Sequence, residues 1–201
     1  MADRRGIGVI GLGMASLPHG KSLAALADRV EVRGVFSPSA QRRSAFAERF
    51  SMPAVERVED VLDDPEISAV LLLTPPNARS ELVSALAANG KHILMEKPVE
   101  RTTDAATAIV TCCERAGVRL SIVFQHRFRE ASMALKQRLD AGDLGEIQTA
   151  QLAIPWWRPQ SYYDEPGRGS YARDGGGVLI SQAIHSLDLM LSFLGPVVEV
   201  G

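Results

Sequence analysis

The sequence predicts an α/β fold, a doubly wound parallel sheet with helices on both faces, followed by an incomplete α+β second domain with an open sheet. Three observations carry this. Strand and helix signals alternate with short connections through residues 1–124, the pattern of βα units in a parallel sheet. A glycine-punctuated turn, Gly11-Leu12-Gly13, separates the first strand from the first helix. Beyond Gln125 the alternation stops. The first domain is therefore expected over residues 1–124 and the partial second domain over residues 125–201.

The elements follow in order. Residues 7–10 form a short β-rich run, and Pro18 suits the first turn of a helix extending to about Ala27. Residues 30–36 are the next strand, and Ser37-Pro38 is read as N-cap and first residue of a helix leading into residues 40–50. Residues 69–73 (Ala-Val-Leu-Leu-Leu) are continuously apolar, as a strand covered on both faces requires. Pro75-Pro76-Asn77 breaks the run, and residues 78–89 are a helix stopped by Gly90. A strand at 92–95, a helix at 104–116 ended by Gly117, and a strand at 118–124 complete the first domain. In the second, a helix is expected at 130–141, a partly alternating strand at 145–154, an aperiodic stretch at 155–177 and a helix at 180–194. Residues 197–200 read as the start of another strand.

Composition narrows the functional classes. The chain has 201 residues, 22 Lys+Arg against 24 Asp+Glu, and a net charge of −2, which gives no electrostatic reason for a nucleic-acid or anionic-membrane partner. Hydrophobic residues at 46% and charged residues at 23% exclude a disordered or collagen-like chain. No apolar run is read as approaching the roughly 20 residues of a membrane span, and the apolar stretch Ile7–Met14, ended by Pro18 and His19, is too short and glycine-punctuated for a signal peptide. The adjacent Cys112 and Cys113 offer no disulfide framework or spaced metal site, and the four histidines show no metal-ligand spacing. A cytoplasmic location follows as the expectation.

Gly11 allows a tight turn and Gly13 a close approach of backbone to a pyrophosphate at the helix N-terminus; the small third residue is Ser16. Such a turn can also serve only to pack the helix, but the βα units behind it favour nucleotide binding. At the end of the second strand an acidic residue would bind the ribose 2′-hydroxyl of NAD. Here Ser37 stands there, with Arg42 and Arg43 downstream, which suits a 2′-phosphate and points to NADP over NAD.

Glu96-Lys97-Pro98 follows a parallel strand at the carboxyl edge, where Lys97 could act as a proton shuttle or be a surface lysine before a turn. Ser181, His185 and Asp188 fall at i−4, i and i+3 behind Gly175-Gly176-Gly177, one helical face on which Asp188 could orient His185. A histidine among apolar neighbours is otherwise a core residue. Trp156-Trp157-Arg158, Tyr162-Tyr163, Arg168 and Arg173 form the richest aromatic and basic cluster. They suit a sugar or arene wall with a carboxylate contact, or equally a loop anchored by its aromatics.

Taken together, the glycine turn, Thr74-Pro75-Pro76-Asn77, Glu96-Lys97-Pro98, Gln125-His126-Arg127-Phe128 and Gly175-Gly176-Gly177…His185-x-x-Asp188 resemble the Gfo/Idh/MocA family across about residues 7–195. The resemblance implies an N-terminal Rossmann domain and a C-terminal α/β domain whose open sheet often mediates homo-oligomers. It implies hydride transfer between NADP or NAD and a secondary alcohol or ketone of a sugar, polyol or dihydrodiol-like small molecule. Lys97 matches the family's catalytic lysine and His185 its catalytic histidine, whereas Ser181 stands where many members have aspartate. The candidate cofactor residues are Gly11, Gly13, Met14, Ser37, Arg42, Thr74, Pro75, Asn77, Glu96 and Lys97. Trp157, Arg158, Tyr163, Arg168, Ser181 and Asp188 are the candidate substrate residues. A non-catalytic dinucleotide-binding regulator and a nicotinamide-assisted glycoside-cleaving enzyme are the competing readings. Family members run longer, so the chain is expected to be truncated, with most of the open sheet missing.

Overall fold

The computed structural model describes residues 4–200 and divides them into two compact units, the first ending at Val123 and the second beginning at Phe124. The first unit is a five-stranded, wholly parallel sheet of β1 (Arg5–Ile10), β2 (Val30–Phe36), β3 (Ile67–Leu72), β4 (His92–Glu96) and β5 (Leu120–Val123), in the order β2-β1-β3-β4-β5. From β1 the chain winds outward to β2, then crosses back to lay β3 on the other side of β1. This reversal opens a crevice at the carboxyl ends of β1 and β3.

Period-two alternation divides the strand side chains between two helical layers. Val9 and Leu71 pack with Leu23 of α1 (Ser16–Ala25) and Phe46 of α2 (Ala40–Phe50). Their neighbours Ile10, Val70 and Leu72 face Val61 of α3 (Glu59–Leu62), Val83 and Leu86 of α4 (Ser80–Ala88), and Ile109 and Cys113 of α5 (Thr103–Arg115). Each such side chain contributes about 1.5–3 kcal/mol through burial. The apolar run at 69–73 is therefore a strand covered on both faces. Gly90 and Gly117 stop α4 and α5 at φ +68° and +67°.

One cap is displaced from its expected position. Ser39, not Ser37, is the N-cap of α2 and accepts a hydrogen bond from the Arg42 amide at 3.3 Å. Pro38 separates the two serines, and the Ser39 amide donates to Ser37 Oγ at 3.4 Å, so Ser37 belongs to the turn before the cap.

The second unit contains α6 (Glu130–Asp140), α7 (Gln160–Tyr163), α8 (Tyr171–Asp174) and α9 (Ile184–Leu194), with a π-helical turn at Leu179–Ala183 leading into α9. The strands expected at 145–154 and 197–200 do not form among the described residues. A β-run needs a neighbouring strand to satisfy its backbone, and this unit offers none among the described residues, so both stretches stay irregular and largely exposed. The apolar content also exceeds the sequence expectation. Taken as one run, the 24 residues Tyr171–Leu194 are long and apolar enough to cross a membrane by length and composition. That run is bent where Gly175 and Gly176 stand at φ +85° and +138°, and it carries Arg173, Asp174 and Asp188.

Candidate functional site

The first unit gathers its chemistry at the carboxyl edge of the sheet. Gly11 follows β1 at φ +100°, and a Cβ there would lie 2.8 Å from the Leu73 carbonyl carbon and the Thr74 nitrogen, so glycine is required by conformation and by contact with the end of β3. At Gly13 a Cβ would meet nothing within 4 Å among the described residues: the space in front of the turn is open. Ser16, 2% exposed, donates from Oγ to the Gly13 carbonyl at 2.7 Å and holds the turn against the start of α1. No side chain among the described residues caps α1, and its first turn carries no acidic residue. Thr74 Oγ1, across the crevice, is buried without a hydrogen-bond partner among the described residues.

An open glycine cradle, an uncapped helix N-terminus and an orphaned buried hydroxyl fit the pyrophosphate and ribose of a dinucleotide. Met14, Pro75 and Asn77 are exposed along this edge. At the end of β2, Ser37 is 3% exposed, and its carbonyl accepts from Arg43 Nη1 at 2.6 Å. Arg42 is exposed, so Arg43 is the arginine held against Ser37.

The loops after β3 and β4 are tied by a residue that sequence reasoning missed. Arg79, 2% exposed, stands at the N-terminus of α4, where the helix dipole disfavours a cation. Carbonyls offset this: Nε and Nη2 donate to Thr74 O at 3.0 and 2.7 Å, and Nη1 donates to Glu96 O at 2.5 Å and to Pro98 O. Burial lowers the Arg79 pKa to about 10 against the raising influence of Glu96 and Glu100, and the group stays charged at neutral pH. Lys97 is half-buried between two of these carbonyl-bearing residues, in a loop whose Lys97–Pro98 peptide is cis. His19, unsupported in the sequence, donates from Nε2 to Glu96 Oε1 at 2.8 Å and so fastens α1 to the end of β4.

In the second unit His185, 6% exposed, is stacked on His126 at 4.9 Å between ring centroids with a 30° tilt, and Phe124 meets it edge-on at 6.4 Å. Burial, then the positive charge of Arg129, lowers the pKa of His126, which favours its neutral form. Asp188 is paired with a residue far away in the chain. Its oxygens accept from Arg127 Nη2 and Nε at 2.5 and 2.6 Å, a bidentate pair whose hydrogen bonding raises the Arg127 pKa. Ser181 lies in the π turn, which adds a residue per turn and takes it off a regular i−4 face. Its Oγ donates to Gly177 O at 2.7 Å.

The aromatic cluster is unevenly exposed. Trp157 is 78% exposed and Tyr163 is exposed at 45%. Arg158 instead lies 5.4 Å from the ring centroids of both Trp156 and Tyr162, and Arg168 lies 4.8 Å from that of Tyr162. Tyr162 is the shared platform.

The fold and the glycine cradle define a dinucleotide-binding α/β protein. Comparison with known proteins is more specific: residues 5–124 match the Gfo/Idh/MocA oxidoreductase family, NAD-binding Rossmann fold, and residues 132–201 match its C-terminal domain. The chain belongs to the Gfo/Idh/MocA family. It is 28% identical over 189 residues to scyllo-inositol 2-dehydrogenase (NAD(+)) of Bacillus subtilis, covering 93% of this chain and 53% of the relative. It is 26% identical over 184 residues to the NADP(+)-dependent scyllo-inositol 2-dehydrogenase IolW of the same organism, covering 89% and 51%. The structure resembles the WlbA dehydrogenase of Bordetella pertussis in complex with NADH and UDP-GlcNAcA, with a TM-score of 0.88, 29% identity, and 98% of this chain and 59% of that one covered. The chain thus spans about half the length of the curated relatives it matches.

Proposed function

We propose that the protein is an NAD(P)-dependent oxidoreductase acting on a secondary alcohol or its ketone in a sugar or polyol. The observation that carries this is the shared carboxyl edge, where the open cradle at Gly11–Gly13 and the loop bearing Lys97 are joined through Arg79 and His19 to β3, β4 and α1. Gly11, Gly13, Ser16 and Thr74 would hold the dinucleotide. When bound, it supplies a nicotinamide that accepts or returns hydride. Lys97 takes the hydroxyl proton during oxidation and returns it during reduction, on a loop whose Glu96 and Pro98 carbonyls Arg79 anchors. His185, kept in a buried ring stack with neutral His126, is the second acid–base candidate. Ser181 has no carboxylate and is already committed to Gly177 O, so the proton work falls to Lys97 and His185.

The absence of an acidic residue at Ser37, with Arg43 against it and Arg42 nearby, supports NADP over NAD. A cytoplasmic location is consistent with free adjacent thiols at Cys112 and Cys113. Homo-oligomerisation is supported by exposed apolar side chains in the second unit, among them Val198 at 97% exposed. Incubating the protein with NAD or NADP and a panel of polyols, aldoses and dihydrodiols, followed at about 340 nm, tests the reading. Net reduction with a preference for NADP supports it. Binding without turnover supports a regulator, and product without net reduction supports nicotinamide-assisted cleavage of a glycoside.

A further inference from the structure

We propose that the second unit carries a carboxylate-binding subsite centred on Arg168, which makes the substrate an acidic sugar or sugar acid rather than a neutral polyol. This deepens the oxidoreductase reading and rests on it for the word substrate, though not for the site itself. Arg168 borders a cavity of about 180 Å³ walled also by Tyr162, Tyr163, Asp174, Ser181 and Gln182. That volume admits a carboxylate and the carbon bearing it but is too small for a whole nucleotide.

The charge balance of the wall points to an anion. Asp174 is already satisfied: its Oδ2 accepts from the Gly169 amide at 2.7 Å, and Arg173 stands 3.6 Å from its Oδ1. Arg168 has no such partner. Its guanidinium lies on the Tyr162 ring at 4.8 Å, and among the described residues it forms no ion pair and its buried Nε has no hydrogen-bond acceptor. A buried guanidinium donor left unpaired is costly, and a carboxylate is the acceptor whose geometry its fork fits. Arg158, on the other contact of Tyr162 at 5.4 Å, adds a second positive charge to the same aromatic platform. The wall itself therefore holds one arginine without an ion pair against one neutralised aspartate, with Arg158 on the shared ring.

Buried Gln182, 5% exposed, and the Ser181 hydroxyl supply neutral polar groups on the same wall. Serine here removes a negative charge that an aspartate would set facing the incoming carboxylate. The substitution that weakens a Lys–Asp–His arrangement thus also makes room for an acidic ligand.

The test is binding, read independently of turnover. Glucuronate and glucose are titrated into the cofactor-loaded protein and into Arg168→Leu and Arg168→Lys variants, followed by tryptophan fluorescence and calorimetry. The wild type is expected to bind glucuronate at least tenfold more tightly than glucose. Arg168→Leu should lose that preference while keeping dinucleotide affinity, and Arg168→Lys should retain a few-fold preference because the charge remains without the fork. No preference in the wild type, or a preference that survives in Arg168→Leu, overturns the proposal. Selective binding without oxidation of any acid would leave the carboxylate subsite standing and count against the oxidoreductase reading alone.

Discussion

Replacing Arg79 with methionine removes the guanidinium while keeping a long apolar side chain in its 2%-exposed site. Three carbonyl oxygens, those of Thr74, Glu96 and Pro98, then lose a charged donor at once. A buried polar group left unsatisfied costs about 1–3 kcal/mol, and three of them set an upper bound near 9. Relief of the cation at the N-terminus of α4 returns about 0.3–1 kcal/mol, and water entering from the open edge recovers part of the rest. The expected net loss is about 3–5 kcal/mol, a large share of the 5–15 typical of a domain. At about 2–4 °C per kcal/mol this lowers Tm by roughly 6–20 °C.

The assay can separate the two units. Both tryptophans and all three tyrosines lie beyond residue 124, so tryptophan fluorescence follows the second unit, while far-UV dichroism includes the sheet of the first. Arg79→Met should shift the dichroism transition and leave the fluorescence transition near its original midpoint. Arg79→Lys, a point charge without a fork, should fall between wild type and Arg79→Met. A loss below about 1 kcal/mol in Arg79→Met would refute the idea that the guanidinium holds the β3 and β4 loops together.

Two further outcomes follow from the same geometry. Gly13→Val projects into open space and should leave stability within about 1 kcal/mol while abolishing dinucleotide binding, whereas Gly11→Val meets the β3 backbone at positive φ and should lose several kcal/mol of stability; calorimetry and dinucleotide titration distinguish the two, and equal effects would remove the case for the cradle. His126 has a lowered pKa in the native state, so the unfolded chain binds the additional proton as pH falls below about 6.5. Its contribution is fully present above that value and declines below it down to the native pKa, which urea unfolding followed by tryptophan fluorescence at pH 7.5 and 5.5 detects. His126→Phe should flatten that dependence, and an unchanged slope would show the ring is not held neutral.

Elements whose partners are near in the chain were legible. Continuous apolar residues at 69–73, the stops at Gly90 and Gly117, and the boundaries of β2 were all readable because each depends on local pattern or a single φ. The glycine cradle was legible for the same reason. Contacts across the chain were not. Asp188 pairs with Arg127 from 61 residues away, a contact that its spacing to His185 does not reveal. Arg79 looks like an ordinary helix-start arginine until the β3 and β4 loops close on it. The stretch at 145–154 alternates in part, yet alternation specifies a face and not a partner. Between Tyr162 and Tyr163, adjacent identical residues carry no signal of which one becomes the platform for the arginines.

The measurement that bears most directly on the account is turnover against cofactor affinity in Lys97→Met. With the substrate identified from the polyol and sugar-acid panel, the variant is expected to lose about 10²–10⁴-fold in kcat, the ordinary contribution of a positioned acid–base group. Its dinucleotide Kd should stay within about threefold of wild type, since the cradle at Gly11 and Gly13 is untouched. Undiminished kcat would contradict Lys97 as the group that handles the hydroxyl proton.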